Sequence, residues 1–575
     1  RALSQMIGIA LQLEKLYPET NSKMGVRLDP YHSTLVAQKQ PALWMLLAAV
    51  TALFLIVCSN VANLQLGRAA ARVREIGIRQ ALGAPRGRLV RQLLTESLVL
   101  AIAGGALGLA LSAAAGVALL HYAPASIPGF ADLRIDSQVV FFNAAITLCA
   151  PLLFGVIPAL TSSRPEGLRA RGIASPRAGR ATRDLLAAVE VALSVVLVAG
   201  SGLLIRSLIQ LDNVEPGFNP QHAVSFTVLL PQARYPKDEQ CVQTFQAIAS
   251  RLRGLPGVQS AGASTTLALG GYTWTNDATP EGRGKTPDDY EREMRNAVIT
   301  PGYFRAMGTP LLRGRDINEF DTAKSLPVTV VNQALEKVYF PGQNAIGKRI
   351  KRGRPGDSEK TSPWVTVVGV VADYKQDGMD ARVLPEGYFP ETQEVFNQLS
   401  FVVRGDAGVD GIIKAAQEQI HKIDRELVLT DVKPLRDILS ESTGDQRFRT
   451  SLLSAFAALA LFLATLGVYG VLAYSVAQRV REIGVRLALG ASRGRLFGMV
   501  VRDGMRPVIL GLILGLCGVT FLTRWIQSLL FGVTPSDPAT FLLTVAVLTA
   551  AASCACGIPA LRAIRVDPAI SLREM

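Results

Sequence analysis

The chain is poor in charged side chains and in histidine. Of its 575 residues, 18% are charged and four are histidine. The histidines are scattered, and none has carboxylates at metal-ligand spacing: His32, His121, His222 and His421. Metal centres and acid–base sites need such groups to converge. The sequence therefore predicts no metal site and no catalytic residue, so we expect that the chain is not itself an enzyme.

Cysteine is also scarce, and its placement excludes a disulfide framework. Five of the six cysteines lie inside apolar stretches, Cys241 being the exception. Cys554 and Cys556 stand two residues apart but have no histidine or acidic residue nearby. Ordinary apolar packing explains them better than a metal site does.

A nucleotide-binding loop is missing as well. Residues 342–348 have the glycine and lysine spacing of a phosphate-binding loop, but Arg349 follows where Ser or Thr would hold Mg²⁺. The segment also follows a helix-like stretch, 333–340, rather than a strand. No Leu-Ser-Gly-Gly-Gln signature occurs. We expect no cofactor on this chain, so any ATP and Mg²⁺ would be bound by another protein.

Long apolar runs dominate what is present. The chain is 49% hydrophobic, holds 51 glycines and has a mean hydropathy of +0.28. About 20 apolar residues cross a bilayer as a helix. Seven stretches qualify: 42–66, 93–120, 139–160, 185–208, 450–477, 504–530 and 540–561. A polar segment, 209–449, separates the fourth from the fifth.

Arginine sets the orientation, because short cytoplasmic loops are enriched in basic residues. Twenty-two arginines and six acidic residues fall in the segments 67–92, 162–183, 478–503 and 562–575. That surplus exceeds the net charge of the whole chain, +14, so the basicity is topological and argues against nucleic acid as a partner. We predict a multi-pass inner (plasma) membrane protein with a cytoplasmic C-terminus and an extracytoplasmic 209–449 segment.

The start of the chain predicts a further helix. Residue 1 is an arginine, and no signal peptide follows. The predicted orientation puts this end outside, which implies an upstream membrane helix and eight spans in the intact chain. The predicted fold class is a polytopic α-helical membrane protein with an α+β extracytoplasmic domain.

An internal repeat organises the spans. Residues 72–89 and 479–496 are identical at 15 of 18 positions, at an offset of 407. The same register aligns the Gly104/Gly108 pair with Gly511/Gly515. Each pair is a G-x-x-x-G, which lets membrane helices approach closely. These four glycines are our predicted helix-packing residues.

The repeated loop is short, basic and amphipathic. It could act as a positive-inside anchor with an interfacial helix. An anchor does not require an acid at Glu75 and Glu482, or a glycine at Gly77 and Gly484. We therefore favour a helix that docks a protein.

Polar residues inside the spans are few. Asn60, Asn63 and Glu190 lie toward the predicted cytoplasmic ends. An intramembrane carboxyl is a candidate functional group. A position near the interface also permits snorkelling, and we expect helix–helix pairing.

The repeated Arg-Glu-Ile-Gly-[Ile/Val]-Arg-x-Ala-Leu-Gly-Ala string resembles the FtsX-like permease domain of MacB-type ABC transporters. Two such units in one chain most resemble the duplicated orphan permease subgroup. Residues 300–308, Thr-Pro-Gly-Tyr-Phe-Arg-Ala-Met-Gly, and the Phe-Pro-Gly at 340–342 look like the MacB periplasmic core domain. The resemblance spans essentially the whole chain.

This resemblance implies that the loop is a coupling helix contacting a cytoplasmic ABC ATPase in trans. The residues it assigns to ATPase coupling are Arg74, Glu75, Gly77, Arg79, Gly83, Arg481, Glu482, Gly484, Arg486 and Gly490. Membrane lipid surrounds the spans, and a periplasmic adaptor or envelope protein remains open as a further partner.

The domain boundaries follow from the repeat and the resemblance. Residues 1–40 would be the C-terminal remnant of a first extracytoplasmic domain. The first permease unit (41–183, three spans) and a further span (184–208) follow. The second extracytoplasmic domain and the second permease unit would be 209–449 and 450–575. Trp274 and Trp364 could line a binding surface in the external domain, although a core role is favoured for Trp364.

Three functions are weighed. The first is a permease subunit that couples ATP hydrolysis by a separate ATPase to external-domain motion, for efflux or envelope work. The second is a signalling or scaffold protein that recruits a cell-wall hydrolase or a lipoprotein. The third, an ion-coupled secondary transporter, predicts broken helices and midplane charges, and the sequence shows neither.

Overall fold

The computed structural model describes most of the chain in two compact units. The described residues are 2–17, 25–71, 86–122, 135–162, 176–270, 274–282, 293–352, 363–478, 485–486, 489 and 491–564. The membrane unit comprises Arg1–Ala123, Gly129–Gln210 and Phe448–Met575. The external unit comprises Leu211–Arg447, with Pro124–Pro128.

Long helices build the membrane unit. They are α1 (Ala2–Leu16), α2 (Tyr31–Ala71), α3 (Arg86–Tyr122), α4 (Ser137–Ser162), α5 (Pro176–Asp212), α11 (Gly444–Gln478), α12 (Arg493–Ile526) and α13 (Pro538–Ile564). Within the described part of the chain, six are long and apolar enough to cross a membrane: α2, α3, α5, α11, α12 and α13. The seventh predicted span lies in α4, where the apolar helix is the shorter segment Ser137–Ala150.

The helices that follow the repeated loops begin before the apolar stretches that predict the spans. α3 starts at Arg86 and α12 at Arg493, although the sequence placed the spans at 93–120 and 504–530. Arginine is a good helix former and its stem can lie along apolar surface while its head reaches water. The described helices α3 and α12 therefore include the arginines at the end of each repeated loop.

Two apolar clusters hold the membrane unit together. One joins α5, α11, α12 and α13 through Val195, Val468, Val508 and Cys556, with their neighbours. The other joins α2, α5 and α11. The second copy thus packs as four helices, and α2 of the first copy packs against two of them.

The external unit combines eleven strands with five helices. The strands are β1 (Ala223–Leu229), β2 (Val258–Ser264), β3 (Thr275–Pro280), β4 (Glu293–Ile299), β5 (Leu311–Gly314), β6 (Val328–Asn332), β7 (Arg349–Arg352), β8 (Trp364–Val371), β9 (Glu386–Pro390), β10 (Gln398–Gly405) and β11 (Leu429–Pro434). The helices are α6 (Asp238–Arg253), α7 (Tyr303–Met307), α8 (Gln333–Tyr339), α9 (Val409–His421) and α10 (Leu435–Ser442). The predicted mixture of helices and strands in segment 209–449 is therefore confirmed.

The strands form one sheet in the order β11-β1-β10-β2-β4-β3-β7-β8-β6-β9, with β5 paired to β8. A parallel pairing of β9 with β4 closes the second half into a ring of six strands. The first half is antiparallel and packs α6 and α9 against Phe226 and Phe401 of the sheet, with Phe245 of α6 contacting Phe401. The ring and the antiparallel half are thus two lobes of one sheet, joined where β2 meets β4.

Candidate coupling site

Most of the predicted coupling residues lie outside the described residues. These are Arg74, Glu75, Gly77, Arg79, Gly83, Arg481, Glu482, Gly484 and Gly490. Arg486 is described and exposed, and its Nη1 lies 3.0 Å from Sδ of Met499 on α12. The assignment of these residues to ATPase contact stays a prediction.

The two predicted glycine pairs have different surroundings. A Cβ at Gly511 would lie 2.6 Å from the Ala188 carbonyl oxygen, and one at Gly515 would lie 2.5 Å from Cβ of Val195. At these points α12 and α5 therefore approach closely, backbone against backbone. Among the described residues, no atom lies within 4 Å of a Cβ built on Gly104 or Gly108.

The intramembrane carboxyl forms a pair and is not exposed. Glu190 of α5 is fully buried and accepts a 2.7 Å hydrogen bond from Asn60 Nδ2 of α2. Asn60 also donates to the Leu463 carbonyl of α11 at 3.0 Å. Ser194 Oγ, one turn along α5, donates to the Ala460 carbonyl at 3.2 Å. Hydrogen bonds therefore connect α2, α5 and α11 inside the membrane unit.

The far end of α5 is fixed to the start of α13. Arg206 forms an ion pair with Asp537, which also accepts a 2.9 Å hydrogen bond from the Thr540 backbone N–H. The Thr540 hydroxyl, which also donates to this carboxylate, and the Arg206 guanidinium hold the pKa of Asp537 below its usual range. Asp537 caps α13, a role that its place directly before Pro538 at the helix start would have suggested.

The exit connector, residues 213–222, carries the chain from α5 into β1 and is bonded closely to the external unit. Arg404 of β10 is buried and donates to three carbonyl oxygens: Ala306 at 2.9 Å, Asn219 at 2.5 Å and Gln221 at 2.5 Å. Asn219 N donates to the Met307 carbonyl at 2.9 Å. One guanidinium therefore joins the exit connector, α7 and β10.

Residues 300–308, the Thr-Pro-Gly-Tyr-Phe-Arg-Ala-Met-Gly string, form the surface that the exit connector contacts. Gly302 and Gly308 flank α7 with φ of 87° and 72°, values that favour glycine. A Cβ at Gly308 would lie 2.7 Å from Cβ of Asn219. The motif thus forms a short helix whose end accepts the exit connector, and this is a physical reason for its glycines.

The return connector, residues 443–447, leads from α10 into α11 and reaches the same place. Arg447 pairs with Asp212 at 3.0 Å, and Gln446 Nε2 donates to Asp380 Oδ2 at 3.3 Å. The loop that contains Asp380 also contacts the exit connector, because Lys375 N donates to the Pro216 carbonyl at 2.8 Å. Both connectors are therefore attached to one loop, 372–385, and the return connector is also paired with the last residue of α5. Sequence reasoning missed this cluster, because its members are far apart in the chain.

Two buried carboxyls lie deeper in the external unit. Glu386 accepts from the Tyr388 hydroxyl at 2.7 Å, and burial raises the pKa of that carboxyl. Glu391 accepts from Gln246 Nε2 at 3.3 Å, and burial raises the pKa of its carboxyl to about 7. Neither belongs to a group of three or more metal-ligating side chains among the described residues.

The two external tryptophans are half-buried and contact arginines. Trp274 stacks near Phe396, with ring centroids 5.5 Å apart, and the Arg352 guanidinium lies 5.8 Å from the Trp274 ring centroid. Trp364 of β8 has the Arg349 guanidinium 5.6 Å from its ring centroid. Residues 342–348 form turns between α8 and β7, and the segment follows a helix as the sequence indicated.

Sequence-family comparisons match both parts of the chain. A model described as the FtsX-like permease C-terminal matches residues 47–166 and 454–568. A model of the MacB-like periplasmic core domain matches residues 185–423. The first model matches twice, which agrees with the internal repeat.

Two curated relatives are both MacB proteins. Macrolide export ATP-binding/permease protein MacB of Mannheimia succiniciproducens is 26% identical over 344 residues, covering 55% of this chain and 49% of the relative. MacB of Neisseria meningitidis serogroup A is 25% identical over 297 residues, covering 47% and 42%. The match therefore spans half or less of the length of these relatives.

Two solved structures align with part of this chain. The periplasmic region of MacB from Actinobacillus actinomycetemcomitans aligns with a TM-score of 0.27 and 15% identity, covering 40% of this chain and 96% of that one. The extracellular domain of the noncanonic ABC-type transporter YknZ aligns with a TM-score of 0.24 and 16% identity, covering 36% and 100%. Since both scores are below 0.5, the assignment rests on the sequence families. This chain is a permease of the MacB/FtsX-type ABC transporter family, a multi-pass protein of the bacterial inner membrane with a MacB-like periplasmic core domain.

Proposed function

We propose that this chain is the permease subunit of an ABC-type mechanotransmission system. A separate cytoplasmic ATPase grips the two repeated loops, and ATP hydrolysis there moves α5 and α11. The external unit follows these helices and performs efflux or envelope work. The chain itself performs no chemistry in this scheme.

The attachment of the two connectors carries the proposal. α5 leaves the membrane unit through the exit connector, and α11 begins within the return connector. Both connectors are bonded to loop 372–385, and the Asp212–Arg447 pair joins the end of α5 to the return connector. A displacement of either helix is therefore passed to the external sheet through short, directional bonds instead of being absorbed by a flexible linker.

Packing inside the membrane unit supports the same path. α12, which follows the second repeated loop, contacts α5 through glycines at backbone distance. Close-packed contacts transmit displacement because there is no free volume to absorb it. A force applied near residues 479–492 thus has a direct route through α12 to α5.

The partner is identified by crosslinking in cells. We expect a photo-crosslinker at position 79 or 486 to capture one and the same ABC ATPase. A crosslinker at the exposed Asp437 of the external unit is the matched control and captures none. Capture of the ATPase from 437, or of no ATPase from either loop, would overturn the assignment of these loops.

The alternative function is a scaffold that recruits an envelope partner. It differs from mechanotransmission in whether the external unit responds to ATP. With the captured ATPase present, we expect ATP to change the protease sensitivity of the external unit. Glu75→Lys combined with Glu482→Lys abolishes that change. A scaffold without mechanotransmission gives the same cleavage pattern with and without ATP.

A further inference from the structure

The repeat places an unusual pair of residues where its two copies meet. The 407-residue offset relates α2, which ends at Ala71, to α11, which ends at Gln478. Asn60 and Gly467 are therefore equivalent positions. The helices cross there, since Asn60 donates to the Leu463 carbonyl. At the crossing the first copy thus has the side-chain amide of Asn60, and the second copy has Gly467, which has no side chain.

The space left by the glycine is filled from a third helix. A Cβ at Gly467 would lie 2.5 Å from Asn60 Oδ1 and also 2.5 Å from Glu190 Oε1, with Oε2 closer still. The Glu190 carboxyl is thus seated at the crossing, held at Oε1 by the Asn60 amide. Its Oε2 is buried and has no hydrogen-bond partner among the described residues.

Charge compensation for a carboxylate is missing from this part of the described structure. The nearest charged side chains on α5 are Arg183 and Asp184, about 10 Å away along the helix axis. Arg183 instead lies over the Tyr474 ring, 4.4 Å from its centroid. On α12, Asp503 lies 3.5 Å from Arg506. Six further titratable side chains on the surrounding helices are uncharged at neutral pH: Cys58, Tyr469, Tyr474, Cys517, Cys554 and Cys556. The described arginines of these helices include Arg206, Arg502 and Arg562, and Arg562 Nη1 donates to the Tyr469 hydroxyl at 3.1 Å. No described arginine donates to Glu190 Oε2.

An ionised carboxyl in such a place is costly. A buried carboxylate without a cation loses its hydration and gains no ion pair, whereas the protonated group loses far less. A group in that position takes up a proton instead of staying charged. The free Oε2 is the atom that can carry the proton, because Oε1 already accepts from Asn60.

We propose that Glu190 is a proton-binding site, and that the bound proton keeps the crossing of α2, α5 and α11 closed. Release of the proton to water leaves a carboxylate on Glu190, and hydration of that charge separates the helices. The hydrogen bonds of Ser194 to Ala460 and of Ser59 to Leu186 lie on the same contact and are strained or lost when it opens. The proposal concerns the membrane unit alone and does not depend on the ATPase.

The first test is infrared spectroscopy of the full chain in lipid nanodiscs. We expect the wild type at neutral pH to show the carbonyl band of a protonated carboxyl that is absent from Glu190→Gln. The control, Glu391→Gln in the external unit, keeps that band. If the wild-type and Glu190→Gln spectra are the same in this region, Glu190 is ionised and the proposal is overturned.

The second test asks whether the proton closes the crossing. Gln is a neutral isostere, so Glu190→Gln should fold, and its melting temperature should depend less on pH than that of the wild type. We expect the wild type to lose more stability than Glu190→Gln between about pH 6 and about pH 9. Gly467→Ala, whose methyl invades the site, should show a lowered melting temperature at both pH values. Equal pH dependence of wild type and Glu190→Gln would overturn the closing role.

Discussion

The two glycine pairs permit a prediction in which the chain supplies its own control. Alanine at Gly511 puts a methyl 2.6 Å from the Ala188 carbonyl oxygen and 2.7 Å from Cβ of Val191. Carbon contacts at rest are about 3.5–4.0 Å, so α5 and α12 must separate by roughly 1 Å. The clash involves backbone, and no rotamer change relieves it. We expect Gly511→Ala to cost about 1–3 kcal/mol of unfolding free energy.

The matched substitution is Gly104→Ala, at the equivalent position of the first copy. No described atom lies within 4 Å of the added methyl there. The gain in helix propensity from Gly to Ala, about 1 kcal/mol, applies to both variants and therefore cancels in the comparison. The assay is denaturant unfolding of this 575-residue chain in bicelles. Equal effects of the two substitutions would refute the packing argument, as would a larger loss for Gly104→Ala.

Three further predictions concern the external unit. Arg404→Met removes the donor from three carbonyl oxygens, of which that of Ala306 is buried, and should lower the stability of the external unit by roughly 3 kcal/mol. The assay is tryptophan fluorescence in urea. Arg436→Met, an exposed control, should change the stability by less than about 0.5 kcal/mol. Burial in the folded state raises the pKa of the Glu391 carboxyl to about 7 from an ordinary 4.5, so the folded chain binds this proton more tightly than the unfolded chain does. The free energy of unfolding should therefore fall by about 3 kcal/mol as the pH rises from 4.5 through 7. Glu391→Gln should remove that part of the pH dependence, and an unchanged pH profile would refute the prediction. Asp212→Arg should change the free energy of unfolding by less than about 1 kcal/mol but reduce the ATP-dependent motion of the external unit. Adding Arg447→Asp restores the ion pair with its charges exchanged and should restore that motion. Failure of the double variant to do so would count against a role for the Asp212–Arg447 pair.

The membrane helices could be predicted from the sequence because their physical signal is local. An apolar run of sufficient length has few alternatives in water or lipid, and arginine counts add orientation. The ends were less predictable. Arg86 and Arg493 begin their helices before the apolar run starts, which arginine permits because it is a good helix former and its charged head can reach water.

The external sheet was predictable only where strands carry β-branched runs. The runs 224–230, 328–331, 365–371 and 401–403 predict four strands, and the structure has β1, β6, β8 and β10 at these places. The other seven strands were missed, since sequences such as Thr275–Pro280 or Glu386–Pro390 are recognisable as strands only from their neighbours. Cross-strand packing decides them, and strand propensity alone is weak.

Some candidate functional features are recognisable in the sequence, and others depend on contacts between distant segments. The repeated loop is visible as a string, whereas Arg404 and its three carbonyls depend on segments almost two hundred residues apart. Glu190 was noticed as an intramembrane acid, and its pairing with a polar helix neighbour was expected. The sequence offset alone makes Asn60 and Gly467 equivalent positions. Only the structure shows that these two positions meet and that Glu190 pairs there.

The central claim is that an ATPase outside this chain moves the external unit through the repeated loops. The most direct measurement is the distance between a spin label on the external unit and one on α13, in nanodiscs that also contain the captured ATPase. The account predicts a distance change on ATP hydrolysis in the wild type and none in the Glu75→Lys/Glu482→Lys variant. A distance that ignores ATP, or one that still responds after both loops are reversed in charge, would contradict it.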